Sequence, residues 1–269
     1  MSFSSIVNQS ITDRLLRSWV RCPRKAWLDK YEDPTKRVWS VHRALQLDHQ
    51  YKSLLALIKS KPERGFKACK NGADGVLGLR LKGLGPKGEL LEAHPPLLQK
   101  VNGKSLWGDF AYRPIFARQG RKVTNEHRLA LALSSLLLNQ KQKADVLNGL
   151  VISKTKSQLE INTVTLNQRL VCKLFDSLVK LSEDLSRQDP PPLINDRRKC
   201  TICSWREICD KEANEKGYLS NVSGIGAKRK KILEEIGIRS LNDLAKADAD
   251  QLSQNLKIYG IQHSDISKT

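Results

Sequence analysis

Leu106-Trp107-Gly108-Asp109-Phe110-Ala111-Tyr112-Arg113-Pro114-Ile115-Phe116-Ala117-Arg118 is the stretch on which the fold turns. Its first half, to Tyr112, alternates apolar and polar residues around a glycine, which is strand and hairpin grammar, and Tyr112 to Arg118 reads as the next strand. The same grammar extends back over 65–118, where glycines punctuate short segments such as Val76-Leu77-Gly78-Leu79-Arg80-Leu81. Before this region the spacing predicts helix. Leu15, Leu16, Trp19, Ala26 and Trp27 recur at helical intervals over 11–31, with Ser10, Thr12 or Asp13 as an N-cap, and Pro23 either restarts or kinks that helix. A second helix spans 39–60 and ends before Lys61-Pro62.

After the quoted stretch, Leu129, Leu131, Ala132, Leu133 and Leu136 to Leu138 predict a helix over 124–140. Strands follow at 150–152 and 159–164, then a helix over 167–187 that Asp189-Pro190-Pro191-Pro192 stops. Helix, strands, helix, strand, helix makes one α/β domain with a mixed sheet flanked by helices over 1–189. A cysteine segment occupies 190–214 and a small all-α tail 215–269.

Length and composition set the outer bounds. The 269 residues suffice for one ordinary domain and an appendage. Lys and Arg number 47 against 28 Asp and Glu, a formal net charge of +19 that draws polyanions, nucleic acid first among them. At 39% hydrophobic residues the chain can bury a core, while aromatics at 6% argue against base stacking as the main source of affinity. No apolar run approaches the roughly 20 residues of a spanning helix, and no secretory leader is visible, so no membrane partner is expected and the expected location is cytoplasmic.

Six cysteines in such a chain read as metal ligands, redox thiols or small core residues rather than disulfides. Cys200-Thr201-Ile202-Cys203-Ser204-Trp205-Arg206-Glu207-Ile208-Cys209 lets two thiolates of a Cys-x-x-Cys turn converge on one metal, with a third further on. One ligand is then wanting, and Cys22, Cys69 or Cys172 could supply it. Zinc competes for such a set, although zinc ribbons usually pair two knuckles and only one is present here. Cys69 and Cys172 fit core positions.

Taken with Cys22-Pro23-Arg24-Lys25-Ala26-Trp27-Leu28, this Cys-x₂-Cys-x₅-Cys segment resembles the iron–sulfur branch of the RecB-like nucleases of the PD-(D/E)XK superfamily, which includes the AddB nuclease domain and CRISPR adaptation nucleases. The resemblance implies a [4Fe-4S] cluster on Cys22, Cys200, Cys203 and Cys209. It also implies work on DNA in repair, recombination or defence, nucleoid association, and a helicase or second nuclease subunit as partner. Carboxylates holding Mg²⁺ or Mn²⁺ would be needed for hydrolysis. His49 falls where that family has a helical histidine, and Asp109 matches its metal-binding aspartate. The acid-x-Lys slots hold Phe116 and Arg118 instead, and neither can do the missing chemistry: phenylalanine offers no oxygen and arginine stays protonated. The family's Gln and Tyr on the next helix become Ala130 and Ser134. Glu126 is the nearby acid able to substitute. The alternatives are a degenerate site on a DNA-binding scaffold, an intact metal-dependent nuclease, and a zinc-stabilised binding module.

In the tail, Val222-Ser223-Gly224-Ile225-Gly226-Ala227-Lys228-Arg229-Lys230-Lys231-Ile232-Leu233 sets a glycine hairpin before an amphipathic helix. Glycines permit a tight turn, and the helix N-terminus offers amides to a phosphate. The segment resembles a helix-hairpin-helix motif, which implies sequence-independent DNA contacts by Gly224, Gly226, Lys228, Arg229, Lys230 and Lys231. Arg197-Arg198-Lys199 beside the cysteines extends the expected backbone track.

Overall fold

Pro23 divides the first helical stretch cleanly. In the computed structural model, which describes residues 10–39, 41–118, 122–154, 158–195, 197–222 and 224–260, strand β1 (Ile11–Thr12) leads into α1 (Asp13–Arg21) and then α2 (Pro23–Tyr31). The Thr12 hydroxyl caps α1 by accepting from Leu15 N at 3.1 Å, and Cys22 between the helices is extended at φ −164°. The break therefore restarts a helix rather than kinking one, since proline at a first helical position lacks only an amide that has no partner there.

Chain order continues with α3 (Val41–Leu55), β2 (Glu63–Arg64), α4 (Gly65–Lys70), β3 (Gly75–Leu77), β4 (Leu81–Leu84), β5 (Leu90–Ala93), β6 (Leu97–Ser105) and β7 (Gly108–Ala117). Next come α5 (Asn125–Gln142), β8 (Asn148–Lys154), β9 (Leu159–Thr165) and α6 (Gln168–Leu185). The main sheet has the order β2-β3-β6-β7-β8-β9, with β7 and β8 parallel across α5 and β6, β7 and β3 antiparallel. A small sheet, β1-β5-β4, lies apart from it in pairing.

The decisive stretch is one strand, not two. Gly108, at φ 140°, closes the β6–β7 hairpin opposite Ser105, and Tyr112 lies mid-strand opposite Lys100. The expectation of a strand break at Tyr112 fails because β8 covers only Ile115 to Ala117, and the exposed part of the ladder is completed by a side chain instead. Gln142 is fully buried at the end of α5, accepts from Tyr112 N at 2.9 Å and donates to Tyr112 O at 3.3 Å.

Period-two alternation splits the core between the sheet's faces. Tyr112, Phe116 and Val151 pack with Leu129, Leu133 and Leu137 of α5 and with Leu174, Leu178 and Leu181 of α6. Ile115, Ala117, Leu150 and Ile152 face the other way and pack with Leu54 of α3. Gly149 sits where α5 crosses the sheet, so a Cβ there would lie 2.6 Å from Leu131 Cδ2 and 3.1 Å from Pro114 O.

The chain forms two units, Met1–Tyr31 with Val41–Pro190, and Glu32–Ser40 with Pro191–Thr269. The partition falls inside the proline run, and the short segment after α2 belongs with the C-terminal part. There Val38 N donates to Ser204 O at 3.0 Å and the Arg37 guanidinium lies 5.0 Å over the Trp205 ring. A 3₁₀ turn (Arg197–Ile202) precedes α7 (Arg206–Glu215), and α8 (Ala227–Glu235), α9 (Leu241–Lys246) and α10 (Ala249–Lys257) close on a core of Leu219, Ile225, Leu233, Ile238, Leu252 and Leu256.

Candidate nucleic-acid interface and metal-site residues

Two rulers separate the residues expected to share a metal. Asp109 is exposed at the start of β7, seven residues before Phe116, or about 23 Å along an extended strand. α5 runs back beside β7, with Leu106 N donating to Gln142 O at its far end, so Glu126, 16 residues before Gln142, lies about 24 Å from that end. Arg118 and Glu126 thus lie at one end of the β7–α5 pair and Asp109 at the other. His49 is exposed on α3.

At the Glu126 end the chemistry is cationic. Glu126 is buried and accepts from Arg17 Nε at 3.2 Å and Arg21 Nε at 2.6 Å. Burial alone would raise its pKa, but the charge and hydrogen bond of Arg21, with Arg17 and His127, hold it below the ordinary carboxylate value. His127 is pushed down to about 4, first by burial and then by Arg17, Arg21 and Arg118, against the opposing pull of Glu126. Its Nδ1 serves structure, lying 2.8 Å from the Thr124 hydroxyl in the N-terminal cap of α5. Phe116 is buried, with the Arg17 guanidinium 5.8 Å over its ring. Sequence reading missed Arg14, Arg17 and Arg21, although their i, i+3, i+7 spacing marks one helix face.

In the C-terminal unit the hairpin is built from local bonds. Gly224 is left-handed at φ 84°, Ile225 N donates to Val222 O at 3.2 Å, and the buried Ile225 side chain anchors the loop. Gly226 is the N-cap of α8, makes no side-chain cap, and has nothing within 4 Å of where a Cβ would stand. The first amides of α8 therefore face outward, the arrangement that receives an anion. The four cations differ. Lys228 and Lys231 are exposed, Arg229 Nη1 donates to Gly224 O at 3.2 Å, and Lys230, only 16% exposed, donates to Asn195 Oδ1 at 2.9 Å. Residues 216–257 match the family of SAM-like helix-hairpin-helix tandems. A helix-hairpin-helix domain is present. Its second half is capped by Ser240, whose hydroxyl accepts from Asp243 N at 3.1 Å, and Leu241 N donates to Gly217 O at 2.9 Å to tie it to the first.

No curated protein matches the sequence. One similar solved structure, described as the crystal structure of SSO0001, is 15% identical, covers 74% of this chain and 85% of its own, and superposes with a TM-score of 0.43. Among the described residues no helix is long and apolar enough to cross a membrane.

None of the six cysteines is in a disulfide. Cys200 lies in the 3₁₀ turn and Cys203 directly follows it, with Cys203 N donating to Cys200 O at 3.0 Å, and Cys209 is buried on α7. The donor chemistry, three thiols within ten residues, fits a thiophilic metal centre. Among the described residues, no three His, Cys, Asp or Glu side chains are gathered as a metal group. Cys22 lies between α1 and α2 in the other unit. Cys69 is fully buried, which pushes its thiol up to about 12 and makes it an inert core residue. Cys172 is exposed on α6, so the expectation of a core position fails for it: Leu170, Leu174 and Leu178 take the inward face of that helix. Beside the cysteines, Arg197 is turned into an ion pair with Asp210 while Lys199 is exposed; the side chain of Arg198 lies outside the described residues.

Proposed function

We propose that this chain binds DNA through the phosphate backbone, with the helix-hairpin-helix domain as the grip and the N-terminal unit as a RecB-like nuclease scaffold without a working metal site. The carrying observation is the hairpin. Gly224 turns the chain back, the uncapped N-terminus of α8 faces outward, and Lys228 and Lys231 flank it. Amides and lysines there meet phosphates and no base edge, so binding is indifferent to sequence.

The order of α3, β3, β6, β7, α5 and β8 supports the RecB-like part, being a helix, a three-stranded meander and a helix leading to a parallel strand. Loss of hydrolysis follows from the separation of Asp109 from Glu126 and from the arginines that already occupy Glu126. A [4Fe-4S] cluster on Cys200, Cys203 and Cys209, with Cys22 as the fourth ligand, belongs to the same reading, and DNA repair, recombination or defence is its setting. When bound, such a cluster supplies a covalent cross-link rather than a reaction step.

Fluorescence anisotropy with two duplexes of unrelated sequence tests the grip. Equal affinities that fall steeply with salt are expected, and a marked preference for one duplex would sink it. Incubating labelled DNA with Mg²⁺ or Mn²⁺ is expected to leave it intact; cleavage that Asp109→Ala abolishes would restore the nuclease. Anaerobically purified protein is expected to be brown and to contain iron, with the colour lost in Cys203→Ser, whereas colourless protein with stoichiometric zinc overturns the cluster.

A further inference from the structure

At the C-terminal end of β7 arginines from α1, α3 and the residue after β7 gather positive charge. Arg118 N continues the sheet ladder to Ile152 O at 2.8 Å, so period-two geometry aims its side chain to the same face as Phe116, the face on which Arg17 lies. Arg118 is completely buried, yet its Nε and Nη1 reach no hydrogen-bond acceptor. Glu160 Oε2 lies 2.8 Å from Nη2 but outside hydrogen-bonding geometry, so it balances charge without saturating the fork.

A buried guanidinium with open donors is costly unless an acceptor completes it. The groups around it deepen the deficit. Arg17 and Arg21 share Glu126, and Arg43 of α3 lies in the field of Arg14, Arg21 and Arg17, with Asp29 opposing them from α2. Asp29 is itself engaged by Lys25 and Ser18. Among the described residues, the five guanidiniums Arg14, Arg17, Arg21, Arg43 and Arg118 therefore gather around three carboxylates, Glu126, Glu160 and Asp29. Glu126 is too buried and too firmly held to leave.

We propose that this end of β7 is an anion site that takes a phosphate group, with Arg118 as its buried donor, Arg17 on the same face, and Arg14 and Arg43 adding to the positive field. Guanidinium forks match phosphate oxygens in pairs, and a dianion offsets positive charge that these carboxylates leave over. The site is independent of the hairpin, since every residue in it belongs to the N-terminal unit.

Isothermal titration of the full chain carrying Lys228→Ala and Lys231→Ala, with pyrophosphate as the probe, reads this site without the hairpin. Arg118→Met is expected to weaken pyrophosphate roughly tenfold or more, from the loss of charge-assisted bonds, with the circular dichroism unchanged. Should that variant fail to fold, Arg43→Gln on α3 is expected to weaken binding several-fold on its own. A 5′-phosphorylated oligonucleotide that displaces pyrophosphate, where its 5′-hydroxyl counterpart does not, assigns the phosphate to a nucleic-acid end; displacement by neither assigns it to a small phosphate ligand. No binding of pyrophosphate at millimolar concentration, or binding unchanged in every folded variant, overturns the proposal.

Discussion

The hairpin of the C-terminal unit and the arginine end of β7 are both cationic, and they reach that state by opposite routes. The hairpin is local: Val222 to Lys231 supply the turn, the amides and the charges, and two of its lysines stand in water. The arginine end is assembled from α1, α3 and the residue after β7, and its central cation has no exposure at all. Charge on a local exposed motif acts through a screened, adjustable field, whereas charge in an assembled buried site is bound up with stability.

Acid gives the widest separation of the two. His127 carries a pKa near 4 in the folded chain and about 6.5 unfolded, so below pH 6.5 the unfolded state takes up a proton that the folded state refuses. Stability of the N-terminal unit is expected to fall by about 3 kcal/mol between pH 6.5 and pH 4 from this group alone. His94 acts in the reverse sense, because its hydrogen bond to Asp13, opposed by burial and aided by Asp13 and Glu92, raises its pKa; its contribution is full below pH 6.5 and fades as pH rises through the raised value. Urea unfolding of the wild type and His127→Gln across this range isolates the first effect, and parallel curves would remove His127 as the cause.

Next in size is removal of the hairpin's exposed charge. Lys228→Ala with Lys231→Ala is expected to cut duplex affinity about tenfold and to lower the slope of log K against log salt by about 2, with unchanged melting. An unaltered slope would mean that these lysines do not meet phosphates. Gly226→Ser probes the amides themselves. The hydroxyl would cap the same donors that a phosphate needs, so stability should rise by about 0.5 kcal/mol while DNA affinity drops several-fold. If both rise together, the helix N-terminus is not part of the grip.

The smallest effect controls for the others. Lys143 ends α5 in the left-handed region at φ 53°, at the end of the helix away from Glu126. Lys143→Gly should stabilise the chain by about 1 kcal/mol in thermal unfolding and leave DNA and pyrophosphate binding unchanged. A change in either ligand would show that the two ends of α5 are coupled.

These two regions also divide what could be read in the sequence. The hairpin was legible because its glycines, its anchor Ile225 and its helix are contiguous, and periodicity suffices for such motifs. The helices around Pro23, and those before and after β8 and β9, were legible for the same reason. The strand boundary at Tyr112 was not, because the partner that completes the ladder there is Gln142, 30 residues onward. That one error carried a functional consequence, since reading two strands in 106–118 placed Asp109 next to Arg118 when a whole strand lies between them. Arg17 and Arg21 carry no motif, and their role depends on Glu126 more than 100 residues away.

The short passage of Glu32–Ser40 through the C-terminal unit has a consequence for how the chain must fold. Three covalent connections join the units instead of one, so a single protease cut at the proline run separates neither. The Val38–Ser204 bond encloses the whole of 41–190, and closing a loop of that length costs entropy before any contact repays it. The strap's contacts with Ser204 and Trp205 therefore carry the loop-closure cost, which the local core of Leu219 to Leu256 does not, and a fragment starting at Pro191 lacks the strap that lies on Trp205.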